Sequence, residues 1–272
     1  MVEIPELNIV ANTLHNLFAR AMLTKIDIQR DKKLNAPKHN YQECLVNQKL
    51  DKIYRRSKEL WFAFENGSVL SIHLMGAGSL TMLPSEKQMI HPVASLWFDN
   101  EKGIGIDDRI GQARILLNPT IPATAEVLTE AFTSDEFKRI LIQAKRCRIK
   151  DVLCDQKRMR GLGIVYADEI LWQVKISPFT CCNCIPEDKI KELYDAIPLV
   201  LNKAENYIRD NQLFTGNFTL KNKDHRLIHN LSKKLSPEGE IIRNENLGVG
   251  KTYFTESQIL YKRPTAVINY NQ

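Results

Sequence analysis

Hydrophobic side chains recur every three or four positions near the start of the chain. They are Leu7, Val10, Leu14, Leu17 and Phe18. This spacing predicts a helix over residues 7–20. From about residue 22 to residue 118 the pattern changes to short apolar or alternating runs separated by turns, which is typical of strands. Asn66-Gly67 lies between two such runs and predicts a hairpin, because both turn positions favour residues that tolerate positive φ.

The pattern becomes helical after Pro119 and Pro122, which mark a linker, and Thr124 is placed to cap a new helix. Apolar spacing then predicts helices over 125–133, 135–146, 149–154, 166–173, 187–194 and 196–212. Near the end of the chain, Pro237-Glu238-Gly239 and Gly248-Val249-Gly250 are placed to frame a small β-hairpin. A helix and many short antiparallel strands, followed by helices, indicate an α+β fold whose first part is a sandwich or barrel.

Composition narrows the class of protein. The chain has 272 residues, 43% of them hydrophobic and 26% charged, and these fractions are typical of a globular fold with a sizeable core. No apolar run approaches the roughly 18 residues of a membrane span, and the first residues do not resemble a signal peptide. We therefore expect a soluble monomer in the cytoplasm or nucleoid.

The net charge of +6 permits a polyanionic partner without requiring one. The excess of positive charge is concentrated in one run from Lys145 to Arg160. This run contains seven Lys or Arg residues and only two acidic residues, Asp151 and Asp155. Such a run is also typical of a solvated helix face, so it does not by itself identify nucleic acid as the partner.

The six cysteines are predicted to be reduced thiols. Cys181 and Cys184 form one Cys-x-x-Cys pair, whereas a structural zinc site usually needs two pairs. Cys147 and Cys154 would have to complete the site through the fold, and the alternative is that all are ordinary buried or surface thiols. We expect no metal and no cofactor.

Gly161-Leu162-Gly163 precedes a predicted helix within the basic run. Backbone amides at such a turn can bind an anion at the positive end of the helix dipole. The same glycines can also serve only to make a tight turn between helices. Lys150 and its basic neighbours favour the interpretation as a DNA phosphate cradle.

Three blocks of this sequence resemble the formamidopyrimidine-DNA glycosylase and endonuclease VIII family of base-excision repair enzymes. They are "VEIPE" at residues 2–6, "RRSKELWFAFENGSVLSIHLMGAGSL" at 55–80 and "IKDVLCDQKRMRGLGIVYADEILW" at 149–172. The resemblance covers residues 1–215 well and the remainder poorly. It implies a catalytic β-sandwich domain over 1–118, a helix-two-turn-helix DNA-binding domain over 119–215, and a lesion-loop segment with a finger hairpin over 216–272.

The resemblance also implies a chemistry. Family members use the α-amine that is exposed when the initiator Met is removed, which here is the amine of Val2. It attacks C1′ of the damaged nucleotide, expels the base and forms a Schiff base that leads to strand cleavage. By resemblance, Glu3 assists proton transfer and Glu6 organises the pocket. Without the resemblance, both carboxylates would be explained by the helix dipole.

The expected DNA contacts come from both halves of the chain. By resemblance, Lys58 binds a phosphate next to the lesion, although it could also be one solvated cation among several. The other predicted DNA-binding residues are His73, Arg109, Lys150, Gly161, Gly163 and Lys251. The resemblance implies double-stranded DNA with a damaged base or an abasic site as the partner.

The sequence departs from the family pattern in four features: the nucleophile, a phosphate-binding residue, the residues that fill the space of the flipped nucleotide, and the finger. Val2 replaces the usual proline, and Ile164 replaces an Asn that bonds phosphate. Met75 is displaced by one position, which on a strand would turn it to the other face. Ile110 replaces an aromatic wedge, and the preceding Asp108 places a negative charge close to DNA.

The finger has no cysteine, because Thr255 and Gln258 stand where its second Cys pair would fall. We expect a zincless hairpin. Two hypotheses follow from the match and the departures: a divergent glycosylase with β-lyase activity, or a homologue that binds damaged or bent DNA without chemistry.

Overall fold

The computed structural model of the protein describes residues 2–84, 89–215 and 218–262. The chain forms two compact units, each from two segments. The first contains Met1–Ala123 and Lys203–His225, and the second contains Thr124–Asn202 and Arg226–Gln272. These units are discontinuous in sequence, whereas the predicted domains are contiguous, because the chain enters each unit twice.

The first unit opens with helix α1 (Ile4–Phe18), whose N-cap is Glu3. Pro5 lies in the first turn, where its missing N–H removes no helical hydrogen bond. The predicted helical spacing is confirmed, since Leu7, Val10 and Leu14 are buried in the core of this unit. A hydrophobic face therefore fixes the helix that begins among the predicted catalytic residues.

Among the described residues of the first unit, eight strands form two antiparallel four-stranded sheets. Their bounds are β1 (Leu23–Ile28), β2 (Leu50–Arg56), β3 (Glu59–Phe64), β4 (Val69–His73), β5 (Ser79–Leu83), β6 (Pro92–Phe98), β7 (Gly103–Asp107) and β8 (Arg114–Leu117). The strand orders are β1-β6-β7-β5 and β2-β3-β4-β8. Side chains from both sheets and from α1 share one hydrophobic core, so the predicted sandwich with an N-terminal helix is confirmed.

Two details of this unit differ from the prediction. Helix α2 (Lys38–Leu45) lies in the part expected to contain only strands; of its residues only Tyr41 and Leu45 are buried, so it has little apolar periodicity. The predicted hairpin joins β3 to β4, but only Gly67 has a positive φ, of +82°. Asn66 acts through its side chain instead, because its Oδ1 accepts the N–H of Ser68 at 3.0 Å.

Four helices occupy most of Ser134 to Asp210: α3 (Ser134–Ala144), α4 (Ile149–Cys154), α5 (Ile164–Gln173) and α6 (Glu187–Asp210). The helix predicted over 125–133 is wrong, since this stretch forms turns. Thr133, not Thr124, is the N-cap, and its Oγ1 accepts the N–H of Glu136 at 3.2 Å. The two last predicted helices are one continuous helix that contains Pro198.

The predicted C-terminal hairpin is present in the second unit. It consists of β9 (Arg243–Leu247) and β10 (Gly250–Phe254), which pair antiparallel. Tyr253 on β10 is buried in a small hydrophobic cluster with Trp172 of α5. Within the described ranges, none of the helices combines the length and the hydrophobicity that a membrane-spanning helix needs.

Candidate active site and DNA-contact residues

The predicted catalytic residues are grouped at the start of the first unit. Val2 is half-buried against the hydrophobic core, while Glu3 is 1% and Glu6 0% exposed. The backbone N–H of Glu3 donates to Glu6 Oε2 at 3.0 Å. This is the reach-back contact of a capping box, and it fixes the peptide bond between Val2 and Glu3. Burial of two carboxylates at a helix start exceeds what capping requires.

A histidine that sequence analysis missed contacts the same carboxylate. His225 Nε2 lies 3.2 Å from Glu6 Oε1, and neither side chain is accessible to solvent. The two residues are 219 positions apart in the chain. No local pattern marks His225, because it lies in a polar stretch without periodicity; only the fold brings it to Glu6.

Lys58 and His73 belong to the sheet β2-β3-β4-β8. Lys58 lies in the tight turn between β2 and β3, as the prediction of a strand-turn lysine requires, and it is partly exposed. Among the described residues, no carboxylate lies within ion-pair distance of it. An unneutralised ammonium on a turn suits a phosphate contact.

His73 is a neutral imidazole close to positive charge. Burial, followed by the positive charges of Lys58 and Arg114, lowers the pKa of His73 from 6.5 to about 4. Its Nδ1 accepts the N–H of Met75 at 2.9 Å. The proton of the neutral ring is therefore on Nε2, which makes that nitrogen a hydrogen-bond donor.

The loop after β7 corrects the expectation for Asp108. Its carboxylate is 0% exposed and accepts the N–H groups of Ile110, Gln112 and Ala113 at 2.9, 2.5 and 2.7 Å. Burial alone would raise the pKa of Asp108, but these backbone amides hold it below its usual value. Asp108 organises the loop from inside and does not present its charge to a ligand.

The same loop exposes the two candidates for filling the space of a flipped nucleotide. Arg109 is exposed and lines an open cavity of about 630 Å³, and Ile110 is 58% exposed. The expectation that Met75 lies on a strand is wrong, because it lies in the turn between β4 and β5 with a φ of +55°. Strand alternation therefore says nothing about its direction.

In the second unit, Gly161 and Gly163 lie at the turn before α5. Gly161 has a φ of +109°, a conformation that favours glycine, and its N–H donates to Gln156 Oε1 at 2.9 Å. Gly163 is the N-cap of α5. Since the Gly161 amide is already used within the protein, a bound phosphate would have to contact the helix start itself.

Lys150 is held inside the second unit. It is 2% exposed, and its Nζ lies 2.7 Å from Asp168 Oδ1. Its hydrogen bonds go to the Lys251 carbonyl at 3.0 Å and to Thr252 Oγ1 at 2.8 Å. The predicted phosphate contact of Lys150 therefore stays a prediction that its burial argues against. Other cations of the same basic run, Arg146 and Lys157, are exposed.

Two models of known protein families match this chain, one in each half. Residues 1–115 match the model of the formamidopyrimidine-DNA glycosylase N-terminal domain, and residues 124–215 match that of the formamidopyrimidine-DNA glycosylase H2TH domain. A formamidopyrimidine-DNA glycosylase of Lactiplantibacillus plantarum is 30% identical over 207 residues, which are 71% of this chain and 74% of the relative. This chain belongs to the formamidopyrimidine-DNA glycosylase family. A formamidopyrimidine-DNA glycosylase of Lactobacillus johnsonii is 29% identical over 280 residues, which are 96% of this chain and 100% of the relative.

Solved structures of the formamidopyrimidine-DNA glycosylase family share the fold. The Lactococcus lactis Fpg in complex with abasic-site DNA has a TM-score of 0.80 and 21% identity, over 93% of this chain and 98% of that one. A MutM structure with DNA containing carbocyclic 8-oxo-G gives a TM-score of 0.79 at 22% identity, over 93% of this chain and 98% of that one. The predicted fold class is confirmed.

The finger hairpin departs from the family pattern in the way its loop is closed. Thr255 N–H donates to Gln258 Oε1 at 2.9 Å, and Gln258 Nε2 donates to the carbonyl of Ile176 at 2.8 Å. Ser257 Oγ donates to Glu240 Oε2 at 2.7 Å. These side-chain bonds hold the loop at the positions where the second Cys pair would fall. Lys251 follows the hairpin turn and lies over the ring of Tyr253.

The cysteines do not form a recognisable metal site. No group of three or more His, Cys, Asp or Glu residues in the described part of the chain could hold a metal ion. Cys182 is buried, and burial, followed by the neighbouring Cys147 and Cys181, raises its pKa to about 12. A thiol with so high a pKa is a poor nucleophile at neutral pH.

Proposed function

We propose that this chain is a DNA glycosylase with AP-lyase activity that acts on oxidised or ring-opened bases or on abasic sites. The observation that carries the proposal is the arrangement at Val2, where two buried carboxylates, Glu3 and Glu6, lie at the start of the first helix. Met1 lies outside the described residues, and the proposal requires its removal, because an amide nitrogen cannot attack.

The free α-amine suits the chemistry. Its ordinary pKa is about 7.7–8.0, so a useful fraction is deprotonated near neutral pH without further perturbation. The nitrogen lone pair forms a bond to C1′ while the bond from C1′ to the base breaks, and the leaving base takes a proton. The sugar ring opens to give an imine, and loss of a C2′ proton then breaks the C3′–O bond to phosphate. Glu3 would move these protons, including the proton that the ring oxygen O4′ takes when the ring opens.

Five of the predicted residues are proposed as DNA contacts. Lys58 would bind a phosphate, His73 Nε2–H would donate a hydrogen bond, and Arg109 would occupy the space of the flipped nucleotide. Gly163 at the start of α5 and Lys251 after the hairpin turn would contact the backbone from the second unit. DNA as substrate agrees with the predicted intracellular location.

Borohydride trapping tests this proposal. Protein whose Met1 is absent by mass spectrometry should form a covalent adduct with abasic-site DNA when borohydride reduces the imine. Glu3→Gln keeps the side-chain shape but removes the proton acceptor, so we expect adduct formation to slow by about 100-fold or more. A preparation that retains Met1 serves as the blocked control. Failure of the Met1-free protein to form adduct would contradict the proposal.

A homologue that binds damaged DNA without chemistry is the second candidate. It is favoured by Val2 at the place of the usual terminal proline, because this residue supplies a primary amine instead of a secondary one. Binding to abasic-site DNA by Met1-free protein that gives no adduct would favour this candidate over the enzyme.

A further inference from the structure

His225 contacts the carboxylate that holds the start of the chain. Its imidazole is fully inaccessible, and its Nε2 lies 3.2 Å from Glu6 Oε1. A buried carboxylate is costly unless its oxygens are hydrogen-bonded, so this contact stabilises Glu6 in its position. The remaining oxygen, Oε2, accepts the N–H of Glu3 at 3.0 Å.

Glu6 therefore connects His225 to the peptide bond between Val2 and Glu3. The Val2 nitrogen is attached to the Cα atom that adjoins this peptide bond. A change in the rotamer of Glu6 would release the peptide bond and change the direction of the amine. Displacement of a reacting group by about 1 Å can lower a rate by about 100-fold.

We propose that His225 is a positioning residue for the amine of Val2. It fixes the carboxylate of Glu6, and Glu6 fixes the peptide bond that carries the nucleophile. The inference rests on the proposed function and adds to it a residue outside the matching sequence blocks. His225 also lies in the part predicted to contain the lesion loop, so this part has a direct hydrogen-bond connection to the catalytic carboxylate.

Two variants at one position separate positioning from folding. His225→Gln keeps an N–H donor that can reach Glu6, whereas His225→Leu fills a similar volume without a donor. In single-turnover trapping with abasic-site DNA, we expect His225→Leu to be slower than the unmodified protein by about 10- to 100-fold. His225→Gln should recover most of the rate, and all three proteins should bind the DNA with equal affinity.

His229→Leu is a matched control, because His229 also faces a carboxylate, Asp168, but in the second unit. We expect it to trap DNA at the unmodified rate at a temperature where it is folded. An unmodified rate in His225→Leu would overturn the proposal. Equal loss of rate and affinity in both His225 variants would also overturn it, since that result indicates a general defect of the fold.

A spectroscopic measurement decides the contact independently of catalysis. Long-range ¹H–¹⁵N NMR spectra of the histidine rings report the state of each ring nitrogen. Glu6→Gln should change the Nε2 signal of His225 and leave that of His229 unchanged. An unchanged His225 signal would overturn the inference. If Met1-free protein forms no adduct, the proposed catalysis fails, and the NMR result still decides whether Glu6 and His225 interact.

Discussion

Each of the two units contains a buried carboxylate that faces a histidine, and the two pairs differ in what surrounds them. In the first unit, Glu6 lies 3.2 Å from His225 and also holds the backbone of Glu3. In the second unit, Asp168 lies 2.7 Å from His229 and 2.7 Å from Lys150, and it also accepts the N–H of Tyr253 at 2.9 Å.

The difference shows two uses of one chemical motif. Around Asp168, a lysine and a backbone amide tie α4 and α5 to the finger strand β10, so the carboxylate stabilises the second unit. Glu169 next to it accepts the N–H groups of Leu227, Ile228 and His229. Around Glu6, the contacts converge on the peptide bond between Val2 and Glu3. We infer that the first pair serves chemistry and the second serves the fold.

The largest expected effect is on stability, from Asp168→Asn. It leaves the Lys150 ammonium buried without its opposite charge, and breaking a buried ion pair in this way costs about 3–5 kcal/mol. Chemical denaturation should show this loss in the free energy of unfolding. Asp195→Asn is the control, because Asp195 pairs with Lys191 on the exposed face of α6 and should change the stability little. A small effect of Asp168→Asn would break the proposed contrast between the two carboxylates.

The elements with strong hydrophobic periodicity could be predicted from the sequence. The spacing of Leu7, Val10 and Leu14 located α1, because a buried stripe repeats with the turn of the helix. Residues 125–133 contain apolar side chains at similar spacing but form turns, and Val127 is buried there without a helix. The burial of an apolar residue is therefore compatible with more than one backbone conformation.

The residues of the site could be predicted only where they lie close together in the sequence. Val2, Glu3 and Glu6 lie within one short stretch, and the fold keeps them together. His225 could not be found, since a contact across 219 positions depends on the whole fold. The charges of Lys150 and Asp108 are evident from their residue types, but their surroundings are not, and both side chains are buried among internal partners.

An intermediate effect is expected from Ile164→Asn at the start of α5. The variant restores a side-chain donor where the family binds phosphate, and a hydrogen bond to a charged group is worth about 1.5–3 kcal/mol. We expect affinity for abasic-site duplex to rise by about tenfold or more. Ile164→Val is the control, because it changes size without adding a donor. Equal affinities of the two variants would show that the helix start does not contact phosphate, and would strengthen the interpretation of the second unit as a scaffold.

The smallest effect is expected at His73, in the first unit. Its pKa of about 4 lies below the ordinary value of 6.5, so the unfolded chain binds more protons between these values. This contribution to stability is complete above about pH 6.5 and is lost as the pH falls towards 4. His73→Gln should therefore flatten the dependence of the unfolding free energy on pH in this window.

Lys58→Met should raise the pKa of His73 in an NMR titration, since it removes a nearby positive charge. If the pKa of His73 is the same in Lys58→Met, Lys58 does not lie close to the imidazole. The two residues would then not belong to one DNA-contact surface.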